Sequence, residues 1–177
     1  MNQFRVDNRR FETDMRIGKS RGSYLPVLTT LTSKTYGPIL ELGMGFCSTP
    51  YLHWACYPTK RRLVSMENNK EYYKYAESWK DDFHHIVCHD DWDKVDLSEP
   101  WSVAFVDHAP SERRGVDCLK LLHAEYVVIH DSENRNARKY GLNSVYKKFK
   151  YRYKYTNAYP YTSIWSNIHD VRSFSVI

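Results

Sequence analysis

The sequence predicts a three-layer α/β/α sandwich whose mostly parallel sheet ends in an antiparallel C-terminal β-hairpin. Short apolar segments alternate with stretches of helical spacing through the middle of the chain, which is typical of a parallel sheet covered by helices on both faces. Two segments, VAFV at 103–106 and YVVI at 126–129, are apolar throughout, as strands buried on both faces are. Over 148–155 the pattern changes to a strict alternation of aromatic and basic residues, which indicates a strand with one exposed face.

The strands and helices of the middle section follow one another in a regular order. The first predicted strand, PILEL, leads into a glycine-containing loop, and the helix after that loop tolerates Pro50 because proline is compatible with a first helical turn. The predicted strands cover 38–42, 62–66, 85–88, 101–106 and 126–129, and the predicted helices cover 49–57, 69–80 and 111–122.

The predicted hairpin has two chemically different faces. Residues 148–155 form its first strand, 157–160 its turn and 161–166 its second strand. Because aliphatic residues are few in this chain, we expect the aromatic face to complete the core. The aromatic face consists of Phe149, Tyr151, Tyr153 and Tyr155, and the basic face consists of Lys148, Lys150, Arg152 and Lys154.

A chain of 177 residues suits a single domain. Residues 1–24 have little apolar periodicity, so we expect an N-terminal arm, either flexible or folded over the site as a helix, before a domain at 25–177. No apolar run approaches the ~18 residues of a membrane helix, and the N-terminus is too polar for a signal peptide. The four cysteines lack zinc-site spacing, which favours reduced thiols and a cytoplasmic location. The oligomeric state cannot be read from the sequence.

Positive charge is concentrated in the C-terminal quarter of the chain. The protein has 26 Lys and Arg against 21 Asp and Glu, and eight of the basic residues lie within 134–169, where no acidic residue occurs. Seven of the 15 tyrosines fall between Tyr140 and Tyr161. Such a stripe is either a solvated strand face or a surface that meets phosphate or nucleic acid. The basicity therefore concerns one hairpin rather than the whole protein.

The strongest local motif is the loop sequence ELGMGFCST, which follows the first predicted strand and opens a helix. Gly43 and Gly45 permit a tight turn and a close approach of the backbone to a ligand. Ser48 can cap the helix, and it stands where a dinucleotide-binding loop would have its third glycine. Glu41 lies within the strand itself, where a carboxylate suits a cationic ligand group better than a pyrophosphate. The loop therefore favours a cationic cofactor over a nicotinamide dinucleotide.

With this loop and this order of elements, residues 38–167 resemble the class I S-adenosylmethionine-dependent methyltransferases. The segments VDHAPSERR and HDSE and the terminal aromatic hairpin are also similar to a group of small methyltransferase-like proteins. The resemblance implies a Rossmann-like fold and S-adenosyl-L-methionine as the cofactor. It implies that Glu41, Gly43 and Gly45 hold the methionine part of that cofactor. It does not identify the methyl acceptor.

The same resemblance assigns the adenosine part of the cofactor to the ends of the second and third strands. It implies that Glu67 binds both ribose hydroxyls and that Asn68 touches the adenine. After the third strand an aspartate is implied to accept a hydrogen bond from the adenine amino group, and Asp91 is favoured slightly over Asp90. Trp92 is expected to stack on the adenine ring. These positions fall at the carboxyl ends of successive strands, where open α/β sheets bind ligands.

Two mechanisms are open for the reaction. In the first, Asp107 and Asp131, at the ends of the fourth and fifth strands, bind a divalent cation such as Mg²⁺ that holds a hydroxyl substrate. Asp107-His108 matches the pair that catechol-type O-methyltransferases carry after the fourth strand. Asp131-Ser132 departs from their second pair, in which asparagine follows the aspartate, and this departure weakens the metal hypothesis.

In the second mechanism no metal takes part, and His108 or His130 removes the proton of the acceptor beside Asp107. Histidine suits this role because it titrates near neutral pH. Alignment of the acceptor with the methyl group contributes strongly to such a transfer, so the base can be a minor contributor. Arg113 and Arg114 either bind a carboxylate or phosphate of the substrate or are simply exposed on the following helix, and exposure is favoured.

Three functions remain in competition on the sequence alone. The leading one is O-methylation of a small polar molecule. The alternative within enzymes is methylation of RNA or protein, with the basic hairpin as a docking surface. The fourth strand ends in DHAP and lacks the Asn/Asp-Pro-Pro-Tyr/Phe motif of many amino-group DNA methyltransferases. The third is a non-catalytic nucleic-acid-binding module, which requires tyrosine rings that are free to stack on bases.

Overall fold

The computed structural model describes residues 22–176 of the chain. Residues 1–21, which make up most of the predicted N-terminal arm, lie outside the described residues. The strands are β1 (Ile39–Leu42), β2 (Leu63–Glu67), β3 (His84–Cys88), β4 (Val103–Val106), β5 (Tyr126–Ile129), β6 (Tyr151–Tyr155) and β7 (Thr162–Ser166). The α-helices are α1 (Leu25–Lys34), α2 (Ser48–Cys56), α3 (Lys70–Ala76), α4 (Arg114–Lys120), α5 (Asn134–Lys139) and α6 (Leu142–Val145). Short 3₁₀ segments lie at Tyr57–Thr59, Glu77–Trp79, Trp92–Lys94, Ser111–Arg113 and Tyr146–Lys148.

The described strands form one seven-stranded sheet in the order β3-β2-β1-β4-β5-β7-β6. Strands β1 to β5 are parallel, and β7 runs antiparallel between β5 and β6. This confirms the predicted Rossmann-like sandwich and its terminal hairpin. The chain builds outward in opposite directions from β1, with β2 and β3 on one side and β4 and β5 on the other. Open α/β sheets bind ligands at the carboxyl ends of the strands, at the point where the strand order reverses in this way.

Both faces of the sheet are covered, which is why the central strands are apolar throughout. Successive residues of a strand point to opposite faces. Leu40 and Ala104 therefore join one core, whereas Ile39 and Phe105 join the other. Every residue of β1 and β4 is buried. Among the described residues, no helix has the length and apolar character needed to cross a bilayer.

Helix α1 is an element that the sequence pattern did not predict. It begins just after Tyr24, contains proline in its first turn, and buries Val27, Leu28 and Leu31 against the sheet. The ring of Tyr24 lies 4.6 Å from that of Phe105. The residues that lead into α1 are consequently held against the carboxyl half of β4.

Helix α4 is shorter than predicted and starts after a 3₁₀ turn over Ser111–Arg113. Its second residue, Gly115, packs directly on the segment that joins α5 to α6. A Cβ atom at Gly115 would lie 2.7 Å from the carbonyl oxygen of Tyr140 and 2.8 Å from Gly141. Only glycine allows this close approach, which ties α4 to α5 and α6.

The hairpin forms as predicted, but its first strand begins only at Tyr151. Tyr155 is buried, and Tyr151 and Tyr153 are partly buried, so these rings do complete a core. Phe149 precedes the strand and packs on the opposite face, where its ring lies 5.2 Å from that of Trp165. The predicted placement of Phe149 on the tyrosine face is therefore wrong, because the strand alternation does not extend to it.

Candidate cofactor and reaction site

A cavity of about 360 Å³ opens at the carboxyl ends of β1, β2, β4 and β5. It lies where the strand order reverses, and it has the size of a small-molecule site. The loop after β1, the last residue of β2 and the first residues after β4 and β5 line its walls, together with the residues that lead into α1. These include 44–47, Glu67, Asp107, His130 and Tyr24.

The two predicted glycines have different roles in the loop that borders this cavity. Gly43 has a φ of 93°, and a Cβ atom there would lie 2.5 Å from the backbone nitrogen of His108. Gly45 lines the cavity, and a Cβ atom there would find only the Ser48 hydroxyl, at 3.4 Å. Gly43 is thus required by the turn itself, whereas Gly45 keeps space open for a ligand.

Glu41 lies beneath the loop and does not line the cavity. Its two carboxyl oxygens are 3.1 and 3.0 Å from the Thr49 hydroxyl, which in turn accepts a hydrogen bond of 3.0 Å from the backbone of Gly45. Burial raises the pKa of Glu41 to about 7, against the effect of hydrogen bonds from Ser48 and Thr49. Glu41 is therefore placed to shape the loop. Ser48 is the buried first residue of α2 rather than its cap, a position taken by Cys47.

Glu67 reaches the cavity but is already engaged with backbone groups. One of its oxygens accepts hydrogen bonds of 2.8 Å from the backbone of Asn68 and Asn69, and the other accepts one of 2.9 Å from Met44. A carboxylate offers roughly four acceptor positions, so about one remains for a ligand. The side-chain oxygen of Asn68 is buried and lacks a hydrogen-bond donor among the described residues.

The residues after β3 do not line the cavity. Asp90 is exposed, and Asp91 accepts a hydrogen bond of 2.9 Å from the backbone of Asp93. Trp92 is buried, and its indole nitrogen donates a hydrogen bond of 2.9 Å to the carbonyl of Ala109, which does line the cavity. Trp92 thus supports the cavity wall from behind.

Arg114 joins the ends of β4 and β5, and its expected exposure is wrong. Its side chain is only 7% exposed and lies 2.9 Å from a carboxyl oxygen of Asp107 and 3.5 Å from one of Asp131. It also donates hydrogen bonds to the main-chain carbonyls of Asp107, His108 and His130. Arg114 therefore sets the positions of both aspartates.

His130 completes this cluster and carries a positive charge. Its Nδ1 lies 3.1 Å from Asp107, and its Nε2 lies 3.0 Å from the Ser23 hydroxyl. Ser23 donates its single hydrogen to the carbonyl of Pro160 at 2.7 Å, so it can only accept from His130. Both ring nitrogens of His130 then act as donors, which requires the imidazolium form. Ser23 lies within the predicted arm, and no sequence pattern indicated this contact.

The pKa values in the cluster agree with this charge assignment. Burial lowers the pKa of His130, but the neighbouring Asp107 outweighs burial and raises it above the ordinary value. Burial acts in the opposite direction on Asp107, and the charges of His130 and Arg114 outweigh it and hold that pKa low. Burial raises the pKa of Asp131. The opposite charges of Asp107 and His130 therefore stabilise each other.

His108 points away from this cluster. It is buried, its Nε2 lies 2.9 Å from Asp117, and its ring packs 4.5 Å from that of Trp92. Adjacent residues of an extended chain point to opposite faces, so Asp107 and His108 cannot both face the cavity. Of the two predicted histidines, the structure brings only His130 to the site.

The predicted metal ligands do lie close together, since Asp107, His130 and Asp131 each offer a ligand atom within 4.8 Å of the others. However, the guanidinium of Arg114 already contacts both carboxylates. Because arginine stays protonated, this permanent positive charge repels a divalent cation from the same position. The residues present do not fit a resident Mg²⁺.

No family model matches the sequence, and a search of curated proteins gives no match. Solved structures do match, at low sequence identity. The O-methyltransferase TomG of Streptomyces achromogenes, involved in tomaymycin synthesis and solved with S-adenosylmethionine, is 18% identical with a TM-score of 0.64; the match covers 92% of this chain and 86% of TomG.

Two further structures were solved with S-adenosylhomocysteine. The methyltransferase PaMTH1 of Podospora anserina is 11% identical with a TM-score of 0.57, and the match covers 81% of this chain and 76% of PaMTH1. The N-terminal domain of human METTL16 is 10% identical with a TM-score of 0.56, over 82% of this chain and 69% of that domain. The chain therefore has the fold of the class I S-adenosylmethionine-dependent methyltransferases.

Proposed function

We propose that this protein is an S-adenosyl-L-methionine-dependent methyltransferase that acts on an oxygen atom of a small polar acceptor. The observation that carries the proposal is the cavity at the strand-order reversal, with a glycine loop on one side and carboxylates on the other. The cofactor supplies a methyl group on a positively charged sulfur. Glu67 lines the cavity and forms no salt bridge among the described residues, so its carboxylate can attract a ligand of this charge, whereas Asp107 is already paired with Arg114 and His130.

The contacts of the predicted cofactor-binding residues indicate which of them can touch the cofactor directly. Gly45 leaves room for the methionine part, and Glu67 has one acceptor position for a ribose hydroxyl. Asn68 does not line the cavity, although its buried side-chain oxygen lacks a donor among the described residues and adjoins Glu67, which does line it. Asp91 and Trp92 receive supporting roles, because neither lines the cavity. Glu41 acts on the cofactor only through the loop that it shapes.

His130 is the proposed general base, and it can act only after it loses its resting proton. In the neutral form its Nε2, once released from the contact with Ser23, would accept the proton of the acceptor hydroxyl while the new carbon–oxygen bond forms and the carbon–sulfur bond breaks. Asp107 would hold the imidazole in position and stabilise the imidazolium that results, and Arg114 would hold Asp107. Activity should then rise with pH through the raised pKa of His130.

The direction of the hairpin tyrosines favours an enzyme that acts on a small acceptor over a non-catalytic nucleic-acid-binding module. Tyr155 is buried, and Tyr153 packs against Phe174 with ring centroids 5.6 Å apart. Rings held in this way are not free to stack on bases. The exposed lysines of the hairpin leave RNA or protein methylation as the alternative enzyme function.

Calorimetric titration with S-adenosylmethionine and S-adenosylhomocysteine tests the cofactor site. We expect both to bind, and we expect Gly45→Val to abolish binding because its side chain would project into the cavity. Thermal unfolding of Gly45→Val without ligand serves as the folding control. Absence of binding of either molecule to the folded wild-type protein would refute the proposal.

The proposed base is tested by the pH dependence of methyl transfer to a small hydroxyl acceptor. The wild-type rate should increase with pH across a value above about 6.5, the usual pKa of histidine. His130→Gln should lose this dependence, whereas His123→Gln, an exposed histidine outside the cavity, should keep it. A pH profile unchanged in His130→Gln would exclude His130 as the base.

A further inference from the structure

A second cavity, of about 300 Å³, lies between the hairpin and helices α5 and α6. We call it the hairpin cavity. Its floor is the face of β6 and β7 formed by Arg152, Lys154, Ser163 and Trp165, and its walls come from α5, α6 and Tyr146. None of these residues lines the cofactor cavity. The proposed methyl transfer does not use them.

The strand register explains how two cations come to share this floor. Arg152 pairs with Trp165, and Lys154 pairs with Ser163, in the antiparallel ladder of β6 and β7. Residues that are paired across a ladder, or two apart along a strand, point to the same face. The same alternation that turns the tyrosines into the core on one side therefore directs Arg152 and Lys154 into the hairpin cavity.

Both cations are held in place without a carboxylate partner. The guanidinium of Arg152 donates a hydrogen bond of 3.0 Å to the carbonyl of Tyr146 and lies 4.1 Å from the centre of the Tyr146 ring. The ammonium group of Lys154 donates a hydrogen bond of 3.1 Å to the side chain of Asn134. Among residues 22–176, neither cation forms a salt bridge. Their positive charge is therefore available to a ligand.

The remaining walls indicate what kind of anion would bind. Trp165, Leu142 and Ala137 give the hairpin cavity an apolar side, and Asn143 adds an amide. A guanidinium and an ammonium that converge on one space suit the oxygens of a phosphate group. The volume of about 300 Å³ is that of a site for a small organic molecule, with Arg152 partly buried and Lys154 exposed at its edge.

We propose that the hairpin cavity is a binding site for a small organic phosphate, with the phosphate group between Arg152 and Lys154 and the organic part against Trp165 and Leu142. This site is separate from the cofactor cavity and does not depend on methyltransferase activity. Two of the eight basic residues in the acid-free stretch 134–169 line this site. Charge repulsion among these cations would be relieved by the bound anion.

Calorimetric or NMR titration of the full chain with phenyl phosphate, inorganic phosphate and phenol tests the proposal in the absence of cofactor. We expect phenyl phosphate to bind more tightly than either fragment. Arg152→Gln and Lys154→Gln should each weaken it by about tenfold, as expected for the loss of one charge-assisted hydrogen bond. Lys150→Gln is the matched control, because it removes the same charge from the same strand region but does not line the hairpin cavity.

Two further measurements keep the test decisive. Thermal unfolding of each variant shows whether the fold is retained, and Arg152→Lys, which keeps the charge, should bind more tightly than Arg152→Gln if the cation acts on the phosphate. Equal losses in Lys150→Gln and Lys154→Gln would show diffuse surface attraction and overturn the proposal. Tighter binding of a single-stranded RNA than of phenyl phosphate, weakened by Lys150→Gln, would instead identify a polymer-docking surface and also overturn it. Failure of wild-type protein to bind phenyl phosphate would have the same consequence.

Discussion

Replacing Glu41 with glutamine should flatten the dependence of stability on pH between about 4.5 and 7, the interval between its unfolded and folded pKa values. The folded protein binds the proton of Glu41 more tightly than the unfolded chain does. Stability is therefore greatest below the unfolded pKa and falls as the pH rises towards the folded value. Glu41→Gln has nearly the same shape but does not titrate, so it cannot lose stability in this way.

The magnitude follows from the size of the pKa rise. Burial moves the pKa of Glu41 from 4.5 to about 7, and each pKa unit corresponds to about 1.4 kcal/mol. Ionisation of Glu41 should thus lower the unfolding free energy of wild-type protein by about 3 kcal/mol across the interval. This is a large fraction of the ~5–15 kcal/mol that keeps a domain folded.

Urea unfolding at pH 5.0 and pH 7.5 measures the effect directly. The difference in unfolding free energy between Glu41→Gln and wild type should shift by about 2 to 3 kcal/mol in favour of the variant on going to the higher pH. Glu71→Gln, which removes a carboxyl group from an exposed position in the first turn of α3, is the matched control. Parallel pH curves for wild type and Glu41→Gln would refute the assignment of a buried, largely neutral carboxyl group.

Three more predictions test other parts of the structure. Gly43→Ala should unfold the protein or greatly destabilise it, whereas Gly45→Ala should keep the fold and weaken S-adenosylhomocysteine binding, as thermal unfolding and calorimetry would show. Arg114→Gln should create a Mn²⁺ site between Asp107 and Asp131 that electron paramagnetic resonance can detect, and wild-type protein and Arg113→Gln should lack it. If Arg114→Gln binds no Mn²⁺, the guanidinium of Arg114 is not what excludes a divalent cation. Burial lowers the pKa of His84 to about 3, so the unfolding free energy of the protein falls as the pH drops below 6.5. His84→Gln should recover about 2 to 3 kcal/mol of unfolding free energy at pH 4.5, measured by urea unfolding. An equal loss of unfolding free energy at low pH in His84→Gln and wild type would contradict this.

The strands and the location of the site were predictable because parallel strands bring their carboxyl ends to one edge. Glu67, Asp107 and His130 each follow an apolar run, and the structure places all three around one cavity. The alignment of β4 with β5, which decides which of the following residues lie opposite each other, was not predictable. Val106 pairs with Ile129, so the next residues, Asp107 and His130, lie opposite each other. His108, one residue further, must point to the other side of the sheet.

The burial of Arg114 was not predicted because sequence patterns assign the faces of a helix as if its turn of about 3.6 residues were uniform along its length. Here a 3₁₀ turn over Ser111–Arg113 precedes α4 and advances the chain by fewer residues per turn than an α-helix does. The resulting rotation turns Arg114 inward, onto two carboxylates, whereas Arg113 is partly buried between Asp93 and Asp117 rather than exposed as expected. Ser23 was missed for a different reason: its contact to His130 spans 107 residues and has no local pattern.

The close packing of Gly115 on Tyr140 brings the elements that border the two cavities into contact. Arg114 faces the reaction cluster, and the ring of Tyr140 lies 4.7 Å from its guanidinium, while the segment that carries Tyr140 leads into the walls of the hairpin cavity. A continuous series of contacts therefore joins the two cavities. If an anion in the hairpin cavity changes the affinity for S-adenosylhomocysteine by some factor, thermodynamic reciprocity requires S-adenosylhomocysteine to change the affinity for that anion by the same factor.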